Sequence, residues 1–63
     1  MLTYRIFWFD QSDHIIGADY LIAEAEDDVP AAAAAHLGTA SAVEVWHGAR
    51  RVVRVEGSPP DLP

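Results

Sequence analysis

The fold is decided by the stretch TYRIFWF at residues 3–9. Aromatic and branched side chains dominate it, and these fit the pleated surface of a β-strand better than a helix. The polar run at residues 11–14 then predicts a turn, and a second extended run follows at residues 15–23, where Gly17 can mark a bulge. The chain therefore opens with a predicted β-hairpin.

The pairing of Phe9 with Ile15 sets the expected register of this hairpin. Arg5 then faces Asp19, so that opposite charges lie across from each other on neighbouring strands. Because side chains alternate between the two faces of a strand, the register also predicts which of them face the helix. That face would carry Tyr4, Ile6, Trp8, Ile16, Ala18, Tyr20 and Ile22.

The middle of the chain predicts a short helix at residues 28–37, which include five consecutive alanines. Asp27 or Asp28 can accept hydrogen bonds from the first free amide groups, and acidic side chains favour the positive end of the helix dipole. Pro30 is tolerated in a first helical turn, and Gly38 can adopt the left-handed conformation that ends a helix. These features at both ends give the helix its expected limits.

The segment at residues 42–56 predicts a second hairpin, which turns at residues 48–50. A two-residue loop would place Val43 opposite Arg54, whereas a three-residue loop pairs Val43 with Val55. The three-residue loop matches charges and apolar groups across the strands, and we therefore prefer it. Its remaining pairs are Glu44 with Arg54, Val45 with Val53 and Trp46 with Val52.

Two hairpins on either side of one helix predict the α+β class with the element order ββαββ. If the helix crosses back over the sheet, the third strand can lie antiparallel beside the first, which gives the spatial order 2-1-3-4. One helix then covers one face of a four-stranded antiparallel sheet. We expect residues 1–57 to form this single domain, and residues 58–63, which contain three prolines, to form a flexible tail.

The composition limits the classes of partner and compartment. Ten acidic residues against four arginines give a net charge of −6, which argues against nucleic-acid binding, because that binding depends on basic side chains. The sequence has no signal-peptide pattern and no apolar run of the roughly 18 residues that a membrane helix needs, so we expect a cytoplasmic protein without membrane contact. A chain of 63 residues without cysteine has a small core and no disulfide, which favours stabilisation by oligomerisation.

No pattern of residues predicts catalysis, a metal site or a cofactor. The histidines His14, His36 and His47 fall on different predicted elements and lack the spacing of a helical metal site. The acidic run at residues 24–28 matches a helix N-terminus rather than a calcium loop. No serine or threonine lies in a nucleophile motif, and the glycines are isolated rather than grouped in a phosphate-binding loop. We therefore expect a protein that is not an enzyme.

The most unusual predicted feature is the sheet face away from the helix, called here the helix-free face. It would carry charged residues beside a contiguous apolar patch, which a monomer is not expected to expose. The patch, and hence the predicted interface, consists of Phe7, Phe9, Ile15, Leu21, Trp46 and Val52.

The leading hypothesis for function is a non-catalytic interaction protein that self-associates, with a symmetric dimer favoured. The two copies would pack these sheet faces together or join edge strands; a different protein partner is also compatible. The alternative is a module that stacks single-stranded nucleic acid on Phe7, Phe9 and Trp46, helped by the arginines. Those arginines can instead form cross-strand ion pairs with Glu44 and Asp19. Two further explanations of the patch stay open, namely a hairpin register shifted by one residue and a tail that folds over the face.

Five features occur together along the chain: YRIF at 4–7, DHI at 13–15, the acidic pair at 27–28 before an alanine-rich helix, VEVW at 43–46 and RVVR at 51–54. With them the chain resembles a group of short proteins from proteobacterial genomes whose function is uncharacterised. The resemblance covers residues 3–56 and implies a small stand-alone bacterial protein, with no implied activity, cofactor or functional residue.

Overall fold

The computed structural model describes residues 1–57, and the predicted tail at residues 58–63 lies outside this range. A single 3₁₀ turn at Glu26–Asp28 leads into the helix. The element order confirms the predicted α+β class and the ββαββ arrangement. The elements are strand β1 (Leu2–Phe9), strand β2 (Ile15–Ala23), helix α1 (Val29–Ala35), strand β3 (Ala42–His47) and strand β4 (Arg50–Glu56).

The four strands form one antiparallel sheet in the order β2-β1-β3-β4, as predicted. β1 and β3 are central, whereas β2 and β4 are edge strands with one neighbour each. Helix α1 lies on one face, chiefly against β3 and β4. The opposite, helix-free face is therefore built by strand side chains alone.

A β-bulge changes the first hairpin from its predicted register. Phe9 pairs with Ile15 as expected, but Trp8 lies opposite Gly17, and Ile16 becomes the extra residue of the bulge. Every pair beyond the bulge is shifted by one residue relative to the prediction. Because the side-chain period of a strand is two, a shift of one residue sends each side chain to the other face.

The shift exchanges the two faces of β2. Leu21, predicted on the helix-free face, lies opposite Tyr4 and is buried in the core with 5% of its surface exposed. Tyr20 and Ile22, predicted to face the helix, lie on the helix-free face instead. Arg5 faces Tyr20 in place of its predicted acidic partner. The predicted placement of Leu21 is therefore wrong, and Tyr20 and Ile22 lie on the helix-free face instead.

Trp8 supplies a physical reason for the bulge. Its indole packs over Gly17, where a Cβ atom would stand 3.4 Å from Cε3 of the ring. The indole Nε1 donates a hydrogen bond of 2.7 Å to the main-chain oxygen of His36, just beyond the end of α1. In the predicted register Ile16 would stand opposite the indole, whereas the bulge leaves only a glycine there.

The second hairpin follows its predicted register up to a bulge near the turn. The pairs Val43–Val55, Glu44–Arg54 and Val45–Val53 are confirmed. The loop has two residues, Gly48 and Ala49, rather than three, and Gly48 adopts a φ of +64° that its missing Cβ permits. Trp46 lies opposite Arg51, so its predicted pairing with Val52 is wrong. Val52 is the extra residue of this bulge and packs against the core.

Helix α1 is shorter than the predicted span of 28–37, because the 3₁₀ turn takes up the acidic residues before it. Asp28 makes no side-chain capping hydrogen bond. Pro30 lies in the first turn and Gly38 adopts a φ of +60°, as expected. The small alanines let the helix lie close to the sheet. The buried core consists of Tyr4, Ile6, Leu21, Ala23, Val29, Ala33, Val43 and Val45.

Candidate functional site

The helix-free face holds four of the six predicted interface residues. Phe7 and Phe9 project from β1 onto it, and the cross-strand pairs place Ile15 beside Phe9 and Trp46 beside Arg5. The other two predicted residues, on β2 and β4, lie in or against the core on the helix side. The remaining side chains of the face are Thr3, Arg5, Ala18, Tyr20, Ile22, Ala42, Glu44, Arg51, Arg54 and Glu56.

Guanidinium groups cover the aromatic rings at the centre of this face. The Arg5 guanidinium carbon lies 5.2 Å from the ring centroid of Phe7 and 4.9 Å from that of Tyr20. Arg54 lies over Phe9 at 5.3 Å, and Phe9 has 9% of its surface exposed. These are favourable cation–π contacts. The central aromatic residues are therefore much less exposed than their positions in the sequence suggest.

A buried carboxylate organises the β3 and β4 half of the face. Glu44 is 7% exposed and accepts hydrogen bonds from Trp46 Nε1 at 2.9 Å, Arg54 Nη1 at 2.6 Å and Arg51 Nη1 at 3.2 Å. Burial acts to raise the pKa of Glu44, but these three hydrogen bonds outweigh it and the pKa is lowered overall. The predicted Glu44–Arg54 ion pair is confirmed, and the carboxylate is satisfied by the chain itself.

The arginines are mostly held by carboxylates. Arg54 also bonds Asp13 at 3.0 Å and Glu56 at 3.1 Å, and these contacts, with Glu44 foremost, raise its pKa. Arg50 forms a pair with Glu26 at 2.9 Å, away from the others. Within residues 1–57, only the guanidinium of Arg5 lacks a carboxylate within 4.0 Å. The face therefore offers no continuous positive track for a phosphate backbone.

Exposed apolar surface is concentrated on β2, where the predicted register placed Ile15 correctly but put Tyr20 and Ile22 on the helix side. Three large side chains of the helix-free face are more than half exposed: Ile15 at 58%, Tyr20 at 64% and Ile22 at 61%. We call these three residues the β2 strip. Ile16, with 59% exposure, lines the helix side of the same strand beside Trp8. Gly17, which the sequence marked as a possible bulge position, lies directly after the extra residue Ile16, but the predicted register did not include the bulge.

A groove of about 380 Å³ runs along β1 on the helix-free face. Its apolar walls come from the central aromatic residues and one end of the β2 strip, and Arg5 and Glu44 are its ionisable groups. Glu44 is occupied by three hydrogen bonds, and the lining residues include no serine, threonine, cysteine or histidine. Surfaces of this kind bind apolar groups but supply no nucleophile or general base.

The histidines and acidic residues do not converge on a second site. His14 lies 3.7 Å from Asp10 in the first turn, His36 ends α1, and the His47 ring packs at 5.3 Å from that of Tyr4. Across residues 1–57, no three histidine, cysteine or acidic side chains are grouped closely enough to hold a metal ion. No helix in the same range is long and apolar enough to cross a membrane.

Comparison of the chain with protein-family models, with curated proteins and with solved structures finds no match. The most prominent surface features of the described residues are the β2 strip and the groove beside it.

Proposed function

We propose that this protein is a non-catalytic interaction protein that self-associates into a homodimer through the β2 half of its helix-free face. The observation that carries the proposal is the β2 strip: three large apolar side chains, each more than half exposed, that follow one edge strand. Large exposed apolar side chains along one strand of a small acidic chain are typical of a contact surface. Contact with a second copy removes part of this surface from water, which adds to the small core of a 63-residue chain.

The proposed contact differs from the predicted interface in its centre. Phe9 and the ring of Phe7 are covered by guanidinium groups, and Glu44 with its arginines would have to lose water and gain little in a dimer. The β2 strip has no such cover apart from Arg5 beside Tyr20. Contact through the strip therefore buries apolar surface without disturbing the charged network.

Nucleic-acid binding is not proposed as a second function. Three of the four arginines are held by carboxylates, and the net charge of −6 repels a phosphate backbone. No observation favours the stacking of bases over the packing of a second apolar surface.

Light scattering coupled to gel filtration tests the proposal with a matched pair of variants. Ile22→Ser removes an apolar side chain from the β2 strip, whereas Ile16→Ser removes a side chain of the same type and similar exposure from the helix side. Each dimer holds two copies of Ile22, and losing roughly 1 kcal/mol of burial at each raises the dissociation constant by about thirtyfold. The control variant should keep the dissociation constant of the original chain.

A chain that stays monomeric up to about 1 mM associates by less than about 4 kcal/mol and would overturn the proposal. Equal weakening by the two serine substitutions would also count against it, because the helix side of β2 would then contribute as much as the strip. Circular dichroism on both variants checks that each remains folded.

A further inference from the structure

The backbone groups at the open edge of β2 can be identified from one hydrogen bond. The amide of Ser41 donates to the carbonyl oxygen of Phe9 at 2.9 Å, so the backbone of Phe9 is directed towards β3. The N–H and C=O groups of successive residues point alternately to the two sides of a strand. The backbone groups of Trp8, and of every second residue before it, therefore point towards β2. Their partners Gly17 and, further on, Leu21 are bonded inside the sheet.

The intervening residues Ala18, Tyr20 and Ile22 consequently direct their N–H and C=O groups away from the sheet. An independent contact agrees with this assignment: the amide of Tyr20 donates to the carboxylate of Asp19 at 2.8 Å rather than to β1. β2 thus directs the backbone groups of three residues towards a further strand, and the amide of Tyr20 must exchange its bond to Asp19 for one to that strand.

Composition distinguishes this edge from the other one. β2 has nine residues, with no lysine or proline and Asp19 as its single charge. β4, the opposite edge, carries three arginines and a glutamate among seven residues. Charged side chains, proline and bulges are the usual means by which edge strands avoid pairing. β2 has one charged residue, Asp19, and its bulge at Ile16 lies before Ala18, Tyr20 and Ile22.

We propose that β2 pairs antiparallel with β2 of a second copy around a two-fold axis at Tyr20, which joins the two sheets into one of eight strands. The inference rests on the proposed self-association and states how the two copies meet. Tyr20 then lies opposite the partner's Tyr20, and Ala18 lies opposite the partner's Ile22. The two β2 strips then lie side by side on one face. Contacts of Ile22 with the partner's Ala18, and of Tyr20 with the partner's Tyr20, remove part of each strip from water.

Only this register pairs all three open residues, that is, Ala18, Tyr20 and Ile22, whose backbone groups point away from β1. Paired residues must direct their backbone groups at each other, so open residues can only face open residues. An axis at Asp19 would place two carboxylates opposite each other, which is unfavourable. An axis at Ala18 would place Tyr20 opposite the bulge of the partner. An axis beyond Tyr20 would place open backbone groups opposite residues after Ala23, where the strand ends. With the axis at Tyr20, Asp19 lies opposite the partner's Leu21. The Tyr20 amide then exchanges its bond to the Asp19 carboxylate for a bond to the main-chain oxygen of the partner's Tyr20.

Single-cysteine variants test the register directly, because the natural chain has no cysteine. Opposed residues of a hydrogen-bonded antiparallel pair have Cα atoms about 5.5 Å apart, within disulfide range. Tyr20→Cys should therefore form a covalent dimer under mild oxidation. Ala18→Cys and Ile22→Cys should not do so alone, since each lies four residues, or about 13 Å, from its own copy. A mixture of these two variants should give a crosslinked heterodimer.

Amide hydrogen exchange on the unsubstituted chain provides a second measurement that needs no variant. The amides of Ala18, Tyr20 and Ile22 should exchange more slowly as protein concentration rises, whereas that of Leu21 should be protected at every concentration. A dimer by light scattering whose three open amides exchange quickly, or whose cysteine variants crosslink equally, overturns the edge pairing and leaves self-association standing. A monomer overturns both.

Discussion

Replacement of Glu44 by glutamine is the sharpest test of the charged network on the helix-free face. Glutamine has nearly the same shape but removes the negative charge that Arg51 and Arg54 share. Its side-chain oxygen can still accept from Trp46 Nε1. Its amide group, however, points a donor at a position where the guanidinium groups need an acceptor.

The expected loss of stability is about 2 kcal/mol. Hydrogen bonds to charged groups are each worth roughly 1.5–3 kcal/mol, and breaking a buried ion pair costs about 3–5 kcal/mol. The value for Glu44 falls below that upper range because Arg51 is half exposed and Arg54 keeps two other carboxylate partners. A domain of 63 residues has a total stability of only roughly 3–9 kcal/mol, so the change is large.

The pH dependence has a definite sign. The pKa of Glu44 in the folded protein is lowered from 4.5, so folding favours its charged form. Its contribution is fully present above about pH 4.5 and is lost as the pH falls through the folded-state pKa. The difference between the original chain and Glu44→Gln should therefore be constant near neutral pH and should shrink below about pH 4.5.

Urea denaturation followed by Trp fluorescence, at pH 7 and at pH 3, measures both quantities. In a thermal scan at pH 7, the same loss of about 2 kcal/mol lowers the melting temperature by roughly 8–16 °C for a domain of this size. Glu26→Gln is the control, since Glu26 also accepts from an arginine at 2.9 Å but both side chains are about half exposed. A Glu44→Gln variant as stable as the Glu26→Gln control, or one whose deficit does not change with pH, would refute this account of the network.

Two other substitutions give distinct expected results. Trp8→Phe removes the 2.7 Å hydrogen bond to the oxygen of His36 and should cost about 1 kcal/mol in urea denaturation; an unchanged midpoint would mean that water replaces the bond fully. Asp19→Ala frees the amide of Tyr20 and removes the one charge on β2, so sedimentation should show a several-fold lower dissociation constant for the dimer. A weaker dimer would contradict the pairing of β2 edges.

Much of the fold follows from local patterns that the sequence displays openly. The aromatic first strand, the turn before Ile15 and the alanine helix fix the number and order of elements. The central pairs of the second hairpin follow from the match of Glu44 with Arg54 and of valine with valine. These features depend on neighbours in the sequence or on obvious cross-strand complementarity.

The two bulges were not predictable in the same way. Each depends on how one large side chain packs across the sheet: Trp8 needs the space above Gly17, and Val52 reaches the core instead of facing Trp46. Cross-strand matching of charges favoured the straight register, which placed Asp19 opposite the first arginine of the chain. The contact of Trp8 with the end of α1, 28 residues away, cannot be predicted by matching charges across neighbouring strands. The predicted interface consequently named the correct face but two residues that lie elsewhere.

The difference between the two edge strands limits how far the chain can assemble. A sheet can grow without limit by head-to-tail contacts between unlike edges, or by β2–β2 contacts that alternate with β4–β4 contacts. The two-fold contact instead pairs the β2 edges of both copies with each other, so that a β4 strand forms the edge at each end of the eight-stranded sheet. Those ends carry Arg50, Arg51, Arg54 and Glu56, whose charges resist further pairing. Assembly would therefore stop at two chains, which allows an apolar edge to persist without forming filaments.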